Sequence, residues 1–565
     1  MKHDIKYFNK RLAALEQEYE TWKLHHEEIS QYLLPRRGRF LDKETRPNDG
    51  SKRHQDIIDG TGGRALRILA AGMQSGLTSP SRPWYKLTVA DDELAEQENV
   101  RQWLDEVTKR MNKFLQRSNF YTSTHNIYYE LGAFGTGCMG IDADFDTVFR
   151  CYPFTTGEYY LTTDHNQRAD GFYRIFWATV KNMVEEFGYD VCSDSVQNMY
   201  DNGNKDKWVQ LVKAIEKNPD HEYGKADRRA MPYLSVTFER KRSEQFLKVS
   251  GYEEFPIMAP RWTVCGTDVY GISPGMESLG DIKMLHKMQE KSLIALDKLV
   301  DPPMNAPVNL RHKGANIVPG GVNYIDLAQG QQGFTPAYQV NPDFQAIEYK
   351  IEKVQQAIRE GFFADLFLMI ANSPKDMTAT EVVERHEEKL LMLGPVIERL
   401  QPELLDRVID RVFNIMHNAR LIPPPPEELQ GLPFEVVYIS LLAQAQKMVG
   451  ISAIEQVAAF VGNLAAVKPE ALDKFNQDEA IEQYADMIGV PAKIIVPDDE
   501  VEAIRMDRAQ QMAMDKQMEQ GGQLAQGAKV LSETDMGGNS ALQALMGNMA
   551  PQQMPAQAPG SQTLQ

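Results

Sequence analysis

The stretch PGMESLGDIKMLHKMQEKSLIALDKLV, residues 274–300, decides the fold of this chain. Its apolar residues recur every three or four positions, which predicts an amphipathic helix of about 25 residues. Asp301-Pro302-Pro303 ends that helix, because proline cannot continue the backbone hydrogen-bond ladder. A Gly-, Pro- and Asn-rich excursion follows, and NPDFQAIEYKIEKVQQAIREGFF, residues 341–363, predicts a second helix. Two consecutive helices joined by such an excursion predict an antiparallel hairpin.

A single hairpin of this kind would expose a large apolar surface. The apolar positions of its two helices are Ile282, Leu285, Leu293, Leu296, Leu299, Ile347, Ile351, Val354 and Ile358. Many copies arranged around a ring would bury both apolar stripes. The pattern therefore predicts a chain that assembles with copies of itself.

Charged residues also recur along the hairpin. Lys283, Lys287 and Lys291 repeat at i, i+4 and i+8, and Glu348 and Glu352 lie one turn apart on the second helix. Three interpretations stay open at this point: solvated helix faces, ion pairs to a neighbouring subunit, or lysines that face a channel carrying DNA.

The chain before the hairpin combines helices with short strands. Helices are predicted over 4–33, 55–77 and 96–131, and only His26 interrupts the apolar stripe of the first. Short β-type runs separated by turns follow from residue 138 onward. The predicted fold class is α+β, mainly helical.

A long helix and a polar tail are predicted after the hairpin. Thr378 and Glu381 form a capping box that opens a helix to about Arg420, with kinks expected at Pro395 and Pro402. The last part of the chain is rich in Gln, Met, Ala, Gly and Pro and has almost no charge, a composition typical of disorder in isolation.

Composition narrows the class of function. The chain has 565 residues and a formal net charge of −18, whereas a protein that grips DNA by neutralising phosphates is normally basic. An acidic protein can still surround a duplex that must slide. The sequence has 4 cysteines and no CxxC pair, so zinc and a disulfide framework are not expected and a reducing compartment fits best. No apolar run is long enough to span a membrane.

Three motifs resemble catalytic signatures and fail on chemical grounds. Gly135-x-Gly137-x-x-Gly140 has the spacing of a dinucleotide loop, but a helix is predicted before it and a strand after it, the reverse of the required order. In Gly271-x-Ser273-x-Gly275, the residue after the serine is a proline, which has no N–H for an oxyanion hole.

The third motif, HEEKL at 386–390, has leucine where a zinc helix needs its second histidine. The sequence therefore predicts no catalytic residue, no metal and no cofactor. The cluster of Arg36, Arg37 and Arg39 after Pro35 is either a solvated turn or a contact to phosphate or a partner.

Several ordered motifs resemble one family, the head-to-tail connector (portal) proteins of short-tailed bacteriophages. The segments that carry the resemblance are YLLPRRGRF (32–40), GTGGRALRILAAGMQSGLTSPSRPWYKL (60–87), VYGISPGMESLGDIK (269–283), MTATEVVERHEEKLLMLGPVIERLQPELL (377–405), LIPPPPEEL (421–429) and YISLLAQAQK (438–447). Leu441 departs from the family pattern, which has a proline there.

The resemblance implies a portal-type fold that assembles as a ring. The implied parts are a wing or body over 1–273, stem helices over 274–300 and 343–363, a clip over 301–342, a tunnel loop over 364–377, a long kinked wing helix over 378–421, a crown over 422–510 and a tail over 511–565. Leu366, Met369, Asn372 and Lys375 are the expected channel residues, and Arg311, His312 and Lys313 are the expected clip contacts.

The implied function is a channel at one capsid vertex through which double-stranded DNA is packaged and ejected. The implied partners are copies of the chain in a ring of twelve, the DNA, the terminase large subunit, tail adaptor proteins, and capsid and internal head or scaffolding proteins. The implied location is the virion, after synthesis in the host cytoplasm. The alternatives are another structural virion protein, such as a capsid or tail-tube subunit, and an ATP-driven DNA translocase or nuclease, which the missing phosphate loop argues against.

Overall fold

The computed structural model falls into two compact units, Met1–Val467 and Lys468–Gln565. It describes residues 4–41, 48, 50, 57–91, 94–95, 97–222, 227–240, 245–305, 335–336, 342–371, 392–429, 434–439, 454, 457–465, 468, 470, 474–488, 496, 500–514, 535–536 and 539–540.

Among the described residues of the first unit, we label ten helices α1 to α10. They are α1 (Ile5–Tyr32), α2 (Thr61–Leu77), α3 (Glu98–Arg117), α4 (Phe120–Phe134), α5 (Val180–Phe187), α6 (Asp194–Asp201), α7 (Leu279–Val300), α8 (Phe344–Gly361), α9 (Ala364–Ala371) and α10 (Asp406–Asn418). Residues 392–400 and 457–465 are also helical. The second unit contributes α11 (Gln477–Ile488) and a helical segment over 500–514.

The strands of the first unit form antiparallel sheets. They are β1 (Tyr85–Val89), β2 (Cys138–Asp144), β3 (Val148–Phe154), β4 (Tyr159–Thr163), β5 (Ala169–Thr179), β6 (Trp208–Lys217), β7 (Tyr233–Glu239), β8 (Lys248–Tyr252), β9 (Ile257–Met258), β10 (Met304–Asn305), β11 (Thr335–Pro336) and β12 (Phe434–Tyr438). Consecutive strands β4 to β8 form one meander, and β2 lies between β3 and β9. In the second unit, β13 (Asp535–Met536) pairs with β14 (Asn539–Ser540).

Helix α1 covers the five-stranded meander with one apolar stripe. Phe8, Leu12, Leu15 and Tyr19 join a core with residues of β4 to β7. His26, which the sequence pattern treats as an interruption, belongs to this stripe: it is fully buried, and its Nδ1 lies 2.7 Å from the hydroxyl of Tyr19. The stripe is therefore continuous: the hydroxyl of Tyr19 partners one ring nitrogen inside the core, and the other, Nε2, is buried without a hydrogen bond to any described residue.

A second core joins the helices. It contains residues of α2, α3 and α4, the first turns of α7, the second half of α8, and the helical segment that ends in α10. The predicted helix over 96–131 is two helices, because Asn119 between them bonds both backbone groups of Cys151 on β3. Residues 434–438, which the sequence assigns to the crown, form β12 and pair with β1 of this unit.

The helix around Pro402 is continuous over the described range 392–418 but contains one π turn at Gln401–Leu405. A π turn accommodates the missing proline donor without ending the helix. It places Glu403 against Arg261, whose side chain is almost fully buried and donates to the carboxylate at 2.6 Å. The disturbance expected at Pro402 is thus a π turn, and Glu403 within that turn anchors the helix to the segment before α7.

Stability of this unit is expected to fall in mild acid because of His26. Burial lowers the pKa of His26 to about 3, with a smaller contribution from the neighbouring His25. Histidine in the unfolded chain has a pKa near 6.5. Below about that pH the unfolded chain binds a proton that the folded chain does not, so the free energy of unfolding falls. At pH 5 the loss is about 2 kcal/mol relative to neutral pH.

The measurement is thermal unfolding of the wild type, His26→Gln and His25→Gln at pH 7.5 and pH 5. We expect His26→Gln to be destabilised at neutral pH but to lose less stability on acidification than the wild type. His25 is exposed and serves as the matched control. Identical pH dependence of the wild type and His26→Gln would contradict the assignment.

Candidate functional site

Helices α7 and α8 form the antiparallel hairpin that the sequence predicts. Ser278, just before α7, lies beside Gly361 at the end of α8, where an added Cβ would come within 2.5 Å of the serine hydroxyl. Midway, Gln289 and Gln355 both donate to Asp59, at 3.4 and 2.9 Å. At the far end, β10 pairs with β11. The two helices therefore run side by side from a common root.

The root of the hairpin is fastened to the chain that precedes α2. His286 is buried, and its Nδ1 accepts the backbone N–H groups of Ile58 and Asp59 at 3.1 and 3.3 Å. The Asp59 carboxylate accepts the N–H of Thr61 at the start of α2. The sequence analysis did not predict this contact between the root of the hairpin and the residues before α2. The available signal was an aspartate two residues before Thr61, since an aspartate side chain can accept the backbone N–H two residues on.

The distal half of the hairpin is apolar and uncovered. Ile282 and Leu285 of the expected stripe are about 1% exposed, whereas Leu293, Leu296 and Leu299 are 52%, 45% and 48% exposed. On α8, Ile351 and Ile358 are likewise buried. The chain thus covers the root itself, which corrects the expectation that neighbouring copies cover both entire stripes. Of the nine residues in the expected stripes, only Leu293, Leu296 and Leu299 are exposed.

Of the five charged residues in the expected stripes of the hairpin, one is paired inside the chain and four are exposed. Lys283 forms an ion pair with Glu28 on α1, and its ammonium lies 5.9 Å from the ring centre of Tyr32. This lysine is therefore used inside the chain. Lys287, Lys291, Glu348 and Glu352 are exposed and make no ion pair with another described residue.

The start of the expected tunnel loop is a helix. Residues 364–371 form α9, and Leu366 is 1% exposed within the helical core. Leu366 is therefore buried in this conformation, and its assignment as a channel residue stays a prediction. Asn372, Lys375, Arg311, His312, Lys313 and the side chain of Met369 lie outside the described residues.

Helix α9 is held against α2 by a close contact that the sequence analysis did not foresee. Phe367 packs on Gly72, where an added Cβ would lie 2.1 Å from the phenylalanine ring. The signal was the run of small residues Ala70, Ala71 and Gly72 in the middle of α2. Just before α9, Phe363 adopts a φ of +53°, which is strained for a bulky residue. The contact with Gly72 therefore fixes a helix that follows a strained turn.

The two glycine-containing motifs, at 135–140 and 271–275, have structural roles. Gly135 ends α4 with a φ of +74°, and a Cβ there would lie 2.1 Å from the carbonyl oxygen of Gly271. Strand β2 follows, so the helix-then-strand order that argues against nucleotide binding is confirmed. Ser273 is buried, donates to the carbonyl of Ala133 at 2.7 Å and caps the turn Pro274–Glu277. Its hydroxyl is a structural cap.

Arg37 of the basic loop has an internal partner. Its guanidinium pairs with Glu130 of α4, a carboxylate that is 1% exposed and also accepts both the N–H and the hydroxyl of Thr156. Neither earlier interpretation, solvated turn or external contact, describes this arginine. Arg36 is exposed, and the side chain of Arg39 and the segment 386–390 lie outside the described residues.

Across the described part of the chain, no group of histidine, cysteine and acidic side chains is arranged to hold a metal ion. No described helix is long and apolar enough to cross a membrane. The features that stand out are instead the uncovered half of the hairpin and the contact that holds α9.

Removing the ring of Phe367 is expected to destabilise the first unit. Phe367→Ala deletes a buried aromatic side chain and leaves a cavity beside Gly72, at a cost of about 3 kcal/mol. Leu368→Ala is the matched control, since Leu368 is 39% exposed and its truncation should change stability far less. Thermal unfolding of both variants tests this, and equal losses would show that α9 is not held by Phe367.

Comparison with known proteins agrees with these features. Residues 6–496 match the family described as "Bacteriophage head to tail connecting protein". The chain is 43% identical over 548 residues to the "Portal protein" of Salmonella phage epsilon15, covering 96% of this chain and 98% of that protein. It is also 43% identical over 534 residues to the "Probable portal protein" of Bordetella phage BPP-1, covering 94% and 96% of the two chains.

Among solved structures, a chain from "Virion of native gene transfer agent (GTA) particle" is 10% identical with a TM-score of 0.34, covering 77% of this chain and 90% of that chain. The family match spans most of the sequence, and both phage relatives exceed 40% identity over nearly their whole length. This chain belongs to the bacteriophage head-to-tail connecting protein family.

Proposed function

We propose that this chain is a portal subunit: copies of it form a ring-shaped channel at one capsid vertex, through which double-stranded DNA is packaged and later ejected. The observation that carries the proposal is the uncovered distal half of the α7–α8 hairpin, in a chain whose relatives are named portal proteins. Copies side by side around an axis would cover these leucines, which a single chain leaves half exposed.

The proposal gives each segment a role. The hairpin α7–α8 is the stem, residues 301–342 are the clip that meets the terminase motor and then the tail, and the body before residue 274 is the wing. Residues from about 440 to 510 form the crown inside the head, and residues 511–565 form the tail of the chain. The segment 364–377 borders the channel.

Charge supports a channel that conducts DNA. The chain carries 79 acidic and 61 basic side chains, so an assembled ring is strongly acidic. Each phosphate that a protein neutralises adds salt-dependent affinity, and tight binding would stall a moving duplex. An acidic wall lets the duplex pass through weak, exchangeable contacts. The role is structural and uses no cofactor of the protein's own.

The ring is tested on the purified full-length chain. We expect negative-stain microscopy to show annular particles with a central hole, and native mass measurement to give about twelve copies. A well-folded single copy at high concentration would overturn the proposal. A non-annular sheet or tube of subunits would favour a capsid or tail-tube role instead.

The contribution of the uncovered leucines is tested with the double variant Leu293→Ser and Leu296→Ser. Each half-exposed leucine has about 1 kcal/mol of further burial to gain, so each interface should weaken by about 2 kcal/mol, roughly thirtyfold. We expect fewer rings at a given concentration while the thermal stability of the subunit stays close to that of the wild type. Unchanged ring formation would show that these leucines are not at the interface.

A further inference from the structure

The exposed charges of the hairpin lie on different sides of it. At about 100° per residue, the centre of Lys287 and Lys291 on α7 is about 170° from the centre of Leu293 and Leu296. The lysines and the uncovered leucines therefore point in opposite directions. Lys283, at the start of the same stripe, points to α1 and is already paired with Glu28.

The glutamates lie on the leucine side. Met288 of α7 and Ile347 and Val354 of α8 are partly buried against the helical core, and we take the two helices to meet on the sides that carry them. Measured around the axis of α8 and starting from that contact, the positions of Glu348 and Glu352 are about 90° or more away. The two helices run in opposite directions, so successive residues advance around their axes in opposite senses when both are viewed from one end. Glu348 and Glu352 therefore lie on the face of the hairpin that carries the leucines. One face is thus basic, and the other is acidic and apolar.

The charges also match in height along the hairpin. Gln289 and Gln355 reach the same aspartate and so define a common level. With a rise of about 1.5 Å per residue, Lys291 lies about 3 Å beyond that level, towards the tip. Glu352 lies about 4.5 Å beyond it in the same direction. In a planar ring, equivalent levels of neighbouring copies coincide, so these two side chains fall at nearly the same height.

We infer that Lys291 pairs with Glu352 of the next copy, so that the basic face of each hairpin docks on the acidic, leucine-bearing face of its neighbour. The inference rests on the proposed ring. It describes a head-to-tail interface, in which one surface of the hairpin meets a different surface of the next copy. Lys287 and Glu348 flank this pair, and Leu293 and Leu296 lie beside it within the contact.

The competing arrangement places Lys291 in the channel, facing DNA. In that arrangement the charge of Lys291 has no effect on ring formation, and Glu352 has no reason to be linked to it. The two arrangements therefore differ in what charge reversal does to assembly.

The test uses three full-length variants: Lys291→Glu, Glu352→Lys, and both substitutions in one chain. Each single reversal sets like charges against each other at every interface, and we expect the concentration for half-assembly to rise roughly tenfold. The double variant restores opposite charges and should assemble like the wild type. An equal mixture of the two single variants should also form rings, because a basic-only copy and an acidic-only copy alternate favourably.

Ring formation is measured by native mass measurement and negative-stain microscopy, and folding of each variant by circular dichroism. Lys113→Glu is the control for charge reversal: Lys113 is exposed on α3, outside the hairpin. It should leave assembly unchanged.

Normal assembly of both single variants, or failure of both the mixture and the double variant to recover, would overturn the pairing while leaving the ring itself in place. A wild-type chain that never forms rings would instead remove the proposed function on which the pairing rests.

Discussion

The structure depends on a hairpin that its own chain covers only at the root. Ile282, Leu285, Ile351 and Ile358 are buried by the body, whereas the leucines nearer the tip are about half exposed. A run of exposed apolar side chains on one helix marks a surface that contacts another molecule. In the proposed ring, further copies of the same chain provide that cover.

The body is built to hold the root in place. Asp59 and His286 fasten both helices to the start of α2, and the close approach of Gly135 to Gly271 brings α4 against the segment that leads into α7. The buried pair of Arg261 and Glu403 ties the same segment to the helix with the π turn. Buried pairs of this kind are costly to break, since a lone charge would remain in the core. The position of the hairpin is therefore fixed by several independent contacts.

Sequence reasoning recovered the features that depend on periodicity and on proline or glycine chemistry. The hairpin, the stripe of α1, the helix-to-strand turn at Gly135 and the disturbance at Pro402 all follow from local patterns. The features that were missed depend on contacts between distant segments. Arg37 with Glu130, Lys283 with Glu28, and Phe367 on Gly72 join residues far apart in the chain, and no local pattern specifies such partners. The burial of Leu366 in the helical core was likewise not foreseen, since it depends on packing between distant segments.

The antiparallel course of α7 and α8 has an evolutionary consequence. Since the chain leaves and re-enters the body at one place, the segment between the two helices is topologically an insertion. Its length and composition can drift without altering the path of the remaining polypeptide. In the proposed portal, a virus lineage could thus refit that end of the molecule to a new docking protein while inheriting the rest of the subunit unchanged.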